Sequence, residues 1–365
     1  MIGAPVFIQS LRAAGVGFFT GVPDSLLSSF SAALADAPAT EHLIAANEGA
    51  ALGLAAGYHF ATGGLPLVYL QNSGLGNLVN PLTSLADPSV YSVPMLLLVG
   101  WRGEPGRPDE PQHARMGAAT APLLEVLGVP VYHLHPGGDW QRVLAQAAAT
   151  AQSGSRPVAI VVAKGVFAEL QLPQQERYPL TAAAAIEIIG AACAPGTRVV
   201  CSTGKIGRIF NEWNLRVENP LPALLNIGAM GHAGSIATAI ALHCQDPVLV
   251  LDGDGALLMH LGALALAGNL SPANLRYFVL NNGAHESVGR QPTLGFSVDF
   301  TGIAKACGFG AAECVCTEDE LQQAMPTGGA AFVEIRINTR TPEKLSRPAE
   351  TPGAAGARFR KSFDS

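Results

Sequence analysis

The chain has 365 residues, 48% hydrophobic and 14% charged, which is enough to bury two ordinary cores. A formal charge of -6 excludes general affinity for nucleic acid or anionic membranes and leaves small ligands as the expected partners. The 41 glycines and 26 prolines are scattered among apolar runs, which excludes a repeat or low-complexity protein.

In chain order, a helical pattern from Phe7 to Ala14 leads into a short apolar strand, Val16 to Thr20, that ends at Gly21-Val22-Pro23-Asp24. Further strands are expected at Leu65 to Gln71, Met95 to Gly100, Val129 to Leu134 and Val158 to Ala163, separated by Ala- and Leu-rich helical segments. This alternation predicts an α/β domain with a doubly wound parallel sheet over residues 1–165. Gly165 to Tyr178, rich in Gln, Glu and Pro, breaks the pattern and places a linker at 166–180. A second domain of the same kind is expected over 181–340, with strands at Val199 to Ser202, Leu224 to Asn226, Val248 to Asp252, Tyr277 to Asn281 and Ala331 to Ile337. Residues 341–365 lack apolar periodicity and are expected to be a flexible tail.

Cys193, Cys201, Cys244, Cys307, Cys314 and Cys316 have neither zinc-site spacing nor a disulfide pattern, and they read as reduced thiols. Met1 to Gly17 lacks a basic region followed by a long apolar run, and no membrane-spanning stretch follows, so the expected location is the cytoplasm.

Two strand ends carry the sharpest chemical signal: Val248-Leu-Val-Leu-Asp-Gly-Asp-Gly255 and, one helical segment later, Arg276-Tyr-Phe-Val-Leu-Asn-Asn-Gly283. Acidic and amide side chains at the carboxyl ends of neighbouring parallel strands can share a magnesium ion, while Gly253 and Gly255 admit a diphosphate close to the backbone. Either piece alone is an ordinary loop or turn; the spacing of the pair points to a cofactor. Gly74-Leu-Gly-Asn-Leu-Val is a poor dinucleotide fingerprint, because the third glycine and the acid closing the next strand are missing.

The Gly253-Asp254-Gly255 to Asn281-Asn282 stretch resembles the thiamine-diphosphate motif of the decarboxylase and acetolactate synthase superfamily. That resemblance implies two thiamine-diphosphate-binding α/β domains, pyrimidine-binding and diphosphate-binding, with no middle domain, and thiamine diphosphate and Mg2+ as cofactors. Asp254, Asn282 and the Ala284 carbonyl would bind the metal, with the choice of Asn282 over Asn281 set by motif register. Glu48, in Ala46-Asn-Glu-Gly-Ala50 ahead of a small-residue helix ending at Tyr58, would be the acid beside the aminopyrimidine. It would act on a cofactor bound by a neighbouring chain, so a homodimer or higher homo-oligomer with active sites at the interface is implied. In Asn226-Ile-Gly-Ala-Met-Gly-His232, the Gly228 carbonyl would accept from the pyrimidine and Met230 would wedge the cofactor into its bent form.

Gly21-Val-Pro-Asp-Ser-Leu26, Asp109-Glu-Pro-Gln-His113 and Asn282-Gly-Ala-His-Glu-Ser-Val-Gly-Arg-Gln-Pro-Thr293 closely resemble phosphonopyruvate decarboxylases, with sulfopyruvate decarboxylases as near relatives. The implied substrate is a small 2-oxo acid with a second anionic group, decarboxylated without oxidation. Asp24, His113 and His285 are the candidates for proton transfer, and Ser25, Arg115, Lys205 and Arg290 for binding the substrate anion. Arg290 stands where the family usually has a glycine. Alternatives on the same scaffold are a sulfopyruvate decarboxylase or a carboligase; a catalytically silent subunit is disfavoured by the presence of Glu48, Asp254 and Asn282.

Overall fold

The computed structural model describes residues 1–364 except 175, 327, 343, 344 and 347. The chain forms two compact units, Met1–Leu172 with Ser287–Gln291, and Pro173–Glu286 with Pro292–Ser365.

The first unit is built on β1 (Val16–Gly21), β2 (His42–Ile44), β3 (Leu65–Gln71), β4 (Met95–Gly100), β5 (Val131–Leu134) and β6 (Pro157–Val162). All neighbours pair in parallel, in the order β2-β1-β3-β4-β6-β5. Successive residues of a strand enter opposite cores: Leu65, Leu67 and Tyr69 of β3 join Leu96 and Leu98 of β4 on one face, and Val68 and Leu70 join Leu97 and Val99 on the other. Burial on both faces is why these strands read as unbroken apolar runs, each such side chain contributing roughly 1.5–3 kcal/mol. The sequence pattern does not show β2, because the strand has only three residues. It is tied in by His42, whose Nδ1 bonds to the Leu34 carbonyl at 3.0 Å and whose Nε2 bonds to the Tyr69 hydroxyl at 2.8 Å.

Later in the chain come β7 (Arg198–Cys201), β8 (Ala223–Leu225), β9 (Val248–Gly253), β10 (Leu275–Asn281), the two-residue strands β11 (Ala284–His285) and β12 (Gln291–Pro292), then β13 (Ala311–Val315) and β14 (Ala331–Arg336). The second six-stranded sheet has the order β13-β14-β10-β9-β7-β8. Read from its other edge it repeats the connectivity of the first sheet, strand for strand. In each sheet the order reverses between the first and third strands, and the carboxyl ends beside such a reversal are where an open α/β sheet forms its ligand crevice. Edge strand β13, Ala-Ala-Glu-Cys-Val, is likewise hidden in the sequence, since only Ala312 and Val315 of it are buried.

Both ends of the expected linker are hydrogen-bonded, and position 175 within it lies outside the described residues. Ile2 N–H donates to the Val166 carbonyl at 2.7 Å, Ala168 N–H to the Ile2 carbonyl at 2.8 Å and Leu170 N–H to Ser29 Oγ at 3.0 Å, all within the first unit. Within the second unit, Asn338 N–H donates to the Leu180 carbonyl at 2.9 Å and its Nδ2 to the Tyr178 carbonyl at 3.1 Å. The change of unit falls at 172/173.

Part of the expected tail is helical. A helix spans Pro352–Lys361, capped by the Thr351 hydroxyl, which accepts from Ala354 N–H at 3.3 Å. Phe359 is 6% exposed, the Arg198 guanidinium lies 4.8 Å from the Phe363 ring centroid, and Arg198 donates to the Ser362 carbonyl. A single aromatic anchor among alanines and cations leaves no apolar period to read. Positions 343, 344, 347 and 365 of that tail lie outside the described residues.

Among the described residues no helix is long and apolar enough to cross a membrane, and all six cysteines are free. Phe359→Ala should lower unfolding stability by about 3 kcal/mol in urea titration; a change below about 0.5 kcal/mol would show that the helix is not docked in solution.

Candidate active site

In the first unit the carboxyl ends of β1, β3 and β4 gather the polar residues. Asp24, just past β1, is completely buried, and its Oδ2 accepts the Leu26 N–H at 3.0 Å. Its Oδ1 has no hydrogen-bond partner among the described residues. Burial pushes its pKa up to about 6, against the opposing pull of the nearby Arg102 charge. The carboxylate reaches so close to β4 that a Cβ on Gly100 would overlap it. Arg102 donates Nη1 to Ser25 Oγ at 3.0 Å, so two elements far apart in sequence meet at the β1 end.

Asn47 caps the helix Glu48–Thr62 by accepting the Ala50 N–H at 2.9 Å, which fixes Glu48 as its first residue. The Glu48 side chain turns inward. It is 5% exposed, lies against Gly74 where a Cβ would collide with it, and accepts Asn77 Nδ2 on Oε2 at 2.6 Å. Burial raises its pKa above the usual carboxylate value, partly offset by the Asn77 bond. A glutamate at the first helical position is ordinarily a solvated partner of the helix dipole; this one is withdrawn from water.

In the second unit the parallel register of β9 and β10 sets Gly253 beside Leu280, so Asp254 follows β9 while Asn281 ends β10 and Asn282 follows it. Asp254 opens the helix Asp254–Met259, is 2% exposed and accepts a short hydrogen bond from Thr293 Oγ1. Burial raises its pKa to about 6; the bonds from Thr293 and from backbone N–H groups, including that of Asn282, only partly oppose this. Gly255 is buried behind it. Asn281 is consumed internally, donating Nδ2 to Glu334 Oε1 at 2.9 Å and to the Gly295 carbonyl at 2.7 Å while its Oδ1 accepts Gly283 N–H at 3.1 Å. Asn282 is partly exposed, with Oδ1 accepting Ala284 N–H at 3.0 Å and Nδ2 donating to Glu286 at 3.3 Å.

This donor set fits a magnesium diphosphate. A buried carboxylate whose charge is opposed chiefly by desolvation, an amide oxygen and a backbone carbonyl are hard oxygen donors, and Mg2+ typically fills its remaining positions with phosphate oxygens and water. Among the described residues no group of three or more His, Cys, Asp or Glu side chains could hold a metal, which such a mixed donor set would not form.

The remaining expected residues are placed variously. His285 is partly buried, lies against Gly255 and is pushed down to about 4 by burial, so it is neutral near pH 7. His113, in the first turn of the helix Pro111–Val126, is shifted down by burial and by the charge of Arg102. Gly228 is exposed and its carbonyl accepts the Met230 N–H at 3.0 Å in a tight turn, with Met230 half-buried. Lys205 is held in an ion pair with Glu286 at 2.6 Å and also donates to Thr341 at 3.1 Å. Arg115 lies exposed on its helix. Arg290 has φ 65°, the left-handed conformation that glycine adopts without cost, and donates Nη1 to the Leu172 carbonyl at 3.1 Å.

Three further residues in these networks are given no role by the sequence motifs. Asn72, completely buried after β3, donates Nδ2 to the Arg102 carbonyl at 2.7 Å and to Thr120 Oγ1 at 2.9 Å, and its Oδ1 accepts the Arg102 N–H at 3.2 Å. Asp252, equally buried, accepts the Tyr277 hydroxyl at 2.7 Å. The third is Arg102 itself; Asp252 lies within the Val248 to Gly255 motif and Asn72 beside the Gly74 segment, so of the three only Arg102 stands outside the segments that the sequence singles out.

Residues 1–121 match the family model "Thiamine pyrophosphate enzyme, N-terminal TPP binding domain", and residues 202–335 match "Thiamine pyrophosphate enzyme, C-terminal TPP binding domain". The chain is 36% identical to the phosphonopyruvate decarboxylase of Streptomyces viridochromogenes over 383 aligned positions, covering 99% of this chain and 94% of that protein. The phosphonopyruvate decarboxylase of Streptomyces hygroscopicus is 34% identical with the same coverage of each chain. The sulfopyruvate decarboxylase of Methanosarcina acetivorans is 28% identical, covering 86% of each. With both cofactor-binding domains present and nearly the whole length aligned, the chain belongs to the phosphonopyruvate decarboxylase family of thiamine-diphosphate enzymes.

Proposed function

We propose that this protein converts 3-phosphonopyruvate to phosphonoacetaldehyde and carbon dioxide, a step of phosphonate biosynthesis, using thiamine diphosphate and Mg2+. The observation that carries this reading is full-length similarity to two phosphonopyruvate decarboxylases, joined to a buried Glu48 in one unit and a buried Asp254 beside Asn282 in the other.

Asp254, the Asn282 amide oxygen and the Ala284 carbonyl would hold Mg2+, with Gly253 and Gly255 leaving room for the diphosphate; Gly228 and Met230 would seat the pyrimidine. When bound, thiamine diphosphate supplies the electron sink for the pair released as carbon dioxide departs. Glu48 would exchange its proton at Oε1, since Asn77 donates to Oε2. Asp24, raised to about 6 by burial, and the neutral His113 and His285 are the proposed groups for moving protons. Ser25, Arg115, Lys205 and Arg290 remain the proposed anion contacts from sequence, of which Lys205 would first have to leave Glu286. The reaction is placed in the cytoplasm.

The direct test is to supply thiamine diphosphate and Mg2+ and compare phosphonopyruvate, sulfopyruvate and pyruvate by carbon dioxide and aldehyde release. Phosphonopyruvate should have the highest kcat/KM; preference for sulfopyruvate would move the protein to the neighbouring activity.

We further propose a homodimer or higher homo-oligomer in which Glu48 of one chain serves the cofactor held by Asp254 and Asn282 of its partner. Glu48→Gln and Asp254→Asn should each be inactive alone. Unfolded together and refolded as a mixture, they should recover about a quarter of wild-type activity, because half of randomly paired dimers regain one intact site. No recovery would place each site within a single chain.

Asp24 also carries a stability signature. A carboxyl raised from 3.8 to about 6 favours the protonated native state, so its contribution is present below pH 4 and lost as pH rises through 6. Asp24→Asn should therefore stabilise the protein by about 3 kcal/mol at pH 8, with little effect at pH 4, while impairing turnover. Equal stability at pH 8 would mean that Asp24 is solvated in solution.

A further inference from the structure

The wiring of Arg102 is that of a binding group, and its assignment to the substrate rests on the proposed reaction. Both backbone polar groups of Arg102 are clipped by the buried Asn72. Its guanidinium is then fixed by a two-point bond to Asp109, Nε to Oδ2 at 2.8 Å and Nη2 to Oδ1 at 2.5 Å. Asp109 is itself anchored, accepting the Gly103 N–H at 2.7 Å and the Glu110 N–H at 2.8 Å, and the Arg102 bonds hold its carboxyl well below the usual range.

Nη1 donates to Ser25 Oγ at 3.0 Å, which uses an acceptor position of that hydroxyl and leaves its own proton to donate. Three of the five guanidinium N–H groups are thus committed. Among the described residues, one N–H on Nη1 and one on Nη2 are left to donate, as the oxygens of an oxyanion require. A second observation points to a ligand here: Asp24, next to Ser25 in the chain, is completely buried and its Oδ1 lacks a partner among the described residues.

We propose that Arg102, with the Ser25 hydroxyl, binds the second anionic group of the substrate and sets the preference for a 2-oxo acid bearing a phosphonate. The side chain is 20% exposed and its charge is balanced by Asp109, so recognition rests on fixed donor directions more than on net positive charge. The charged and titratable groups around Asp24 and Arg102 are Asp109, Glu110 and His113. An anion added among them favours the protonated form of Asp24, so substrate binding takes up a solvent proton at the unpartnered Oδ1, where it is available for transfer.

Arg102→Met and Arg102→Lys, each checked for wild-type thiamine diphosphate stoichiometry as evidence of a folded protein, provide the test. Arg102→Met should lower kcat/KM for phosphonopyruvate about 100-fold, chiefly through KM, and lower that for pyruvate far less. Arg102→Lys, which keeps the charge and loses the fork, should fall between. The affinity of 3-phosphonopropionate, a non-reacting analogue measured by calorimetry, should weaken in parallel. Equal losses on both substrates, or an unchanged analogue affinity in Arg102→Met, would overturn the assignment. If the wild-type protein turned over no phosphonopyruvate, the proposed reaction would fail, and analogue affinity would still decide whether Arg102 binds the anion.

Discussion

The cost of burying carboxyl groups governs the polar architecture of this protein. Asp24, Glu48 and Asp254 are each at most 5% exposed, and among the described residues none of them forms an ion pair. Each is instead held by hydrogen bonds that leave part of the desolvation cost standing, which is why all three are raised above ordinary carboxylate values. A fold optimised only for stability would place amides or apolar groups there. Retaining acids at these positions makes sense when the missing counterpart, a proton, a cation or a polar ligand, arrives with function.

The repeated sheet topology makes that cost tolerable. In both sheets the core is filled by strands buried on two faces, and Asp24, Glu48 and Asp254 each lie past the carboxyl end of a strand. Close backbone approach then positions them: Gly74 lets Glu48 lie flat against its turn, and Gly100 does the same for Asp24. A methyl group at either position would displace a carboxyl without touching the core, so these two glycines act on the site more than on the fold.

The sequence discloses strands whose apolar runs exceed four residues and motifs whose spacing is fixed by parallel register, as with Gly253-Asp254 and Asn281-Asn282. It does not disclose β2, β13 or the C-terminal helix, where three residues, an edge and a single aromatic carry the packing. At the site, acidic positions stand out because an acid at a strand end is unusual, whereas Arg102 and Asn72 are invisible. Their roles depend on partners 77 and 30 residues away, a relation no local pattern encodes. Lys205 shows the opposite failing: an attractive cation by position, it is occupied by Glu286.

Arg290 shows how a residue with a side chain is held in a backbone conformation that favours glycine. Its left-handed backbone costs on the order of 1 kcal/mol for a residue with a side chain, and the neighbouring Gly289 at φ 133° is more extreme. The strain is held by anchors on either side: Arg290 donates to the Leu172 carbonyl, and the fully buried Gln291 donates Nε2 to Ser31 Oγ at 2.7 Å and to the Ser28 carbonyl at 3.1 Å. Those partners belong to the first unit, as does the whole Ser287–Gln291 segment. Ser28 and Ser31 lie shortly after Asp24 and Ser25, so the segment bearing Arg290 is fastened to the same stretch that carries the buried acid. Arg290 is therefore accommodated in a backbone that glycine favours by directing its side chain to a backbone carbonyl, beside the intact anchors of Gln291.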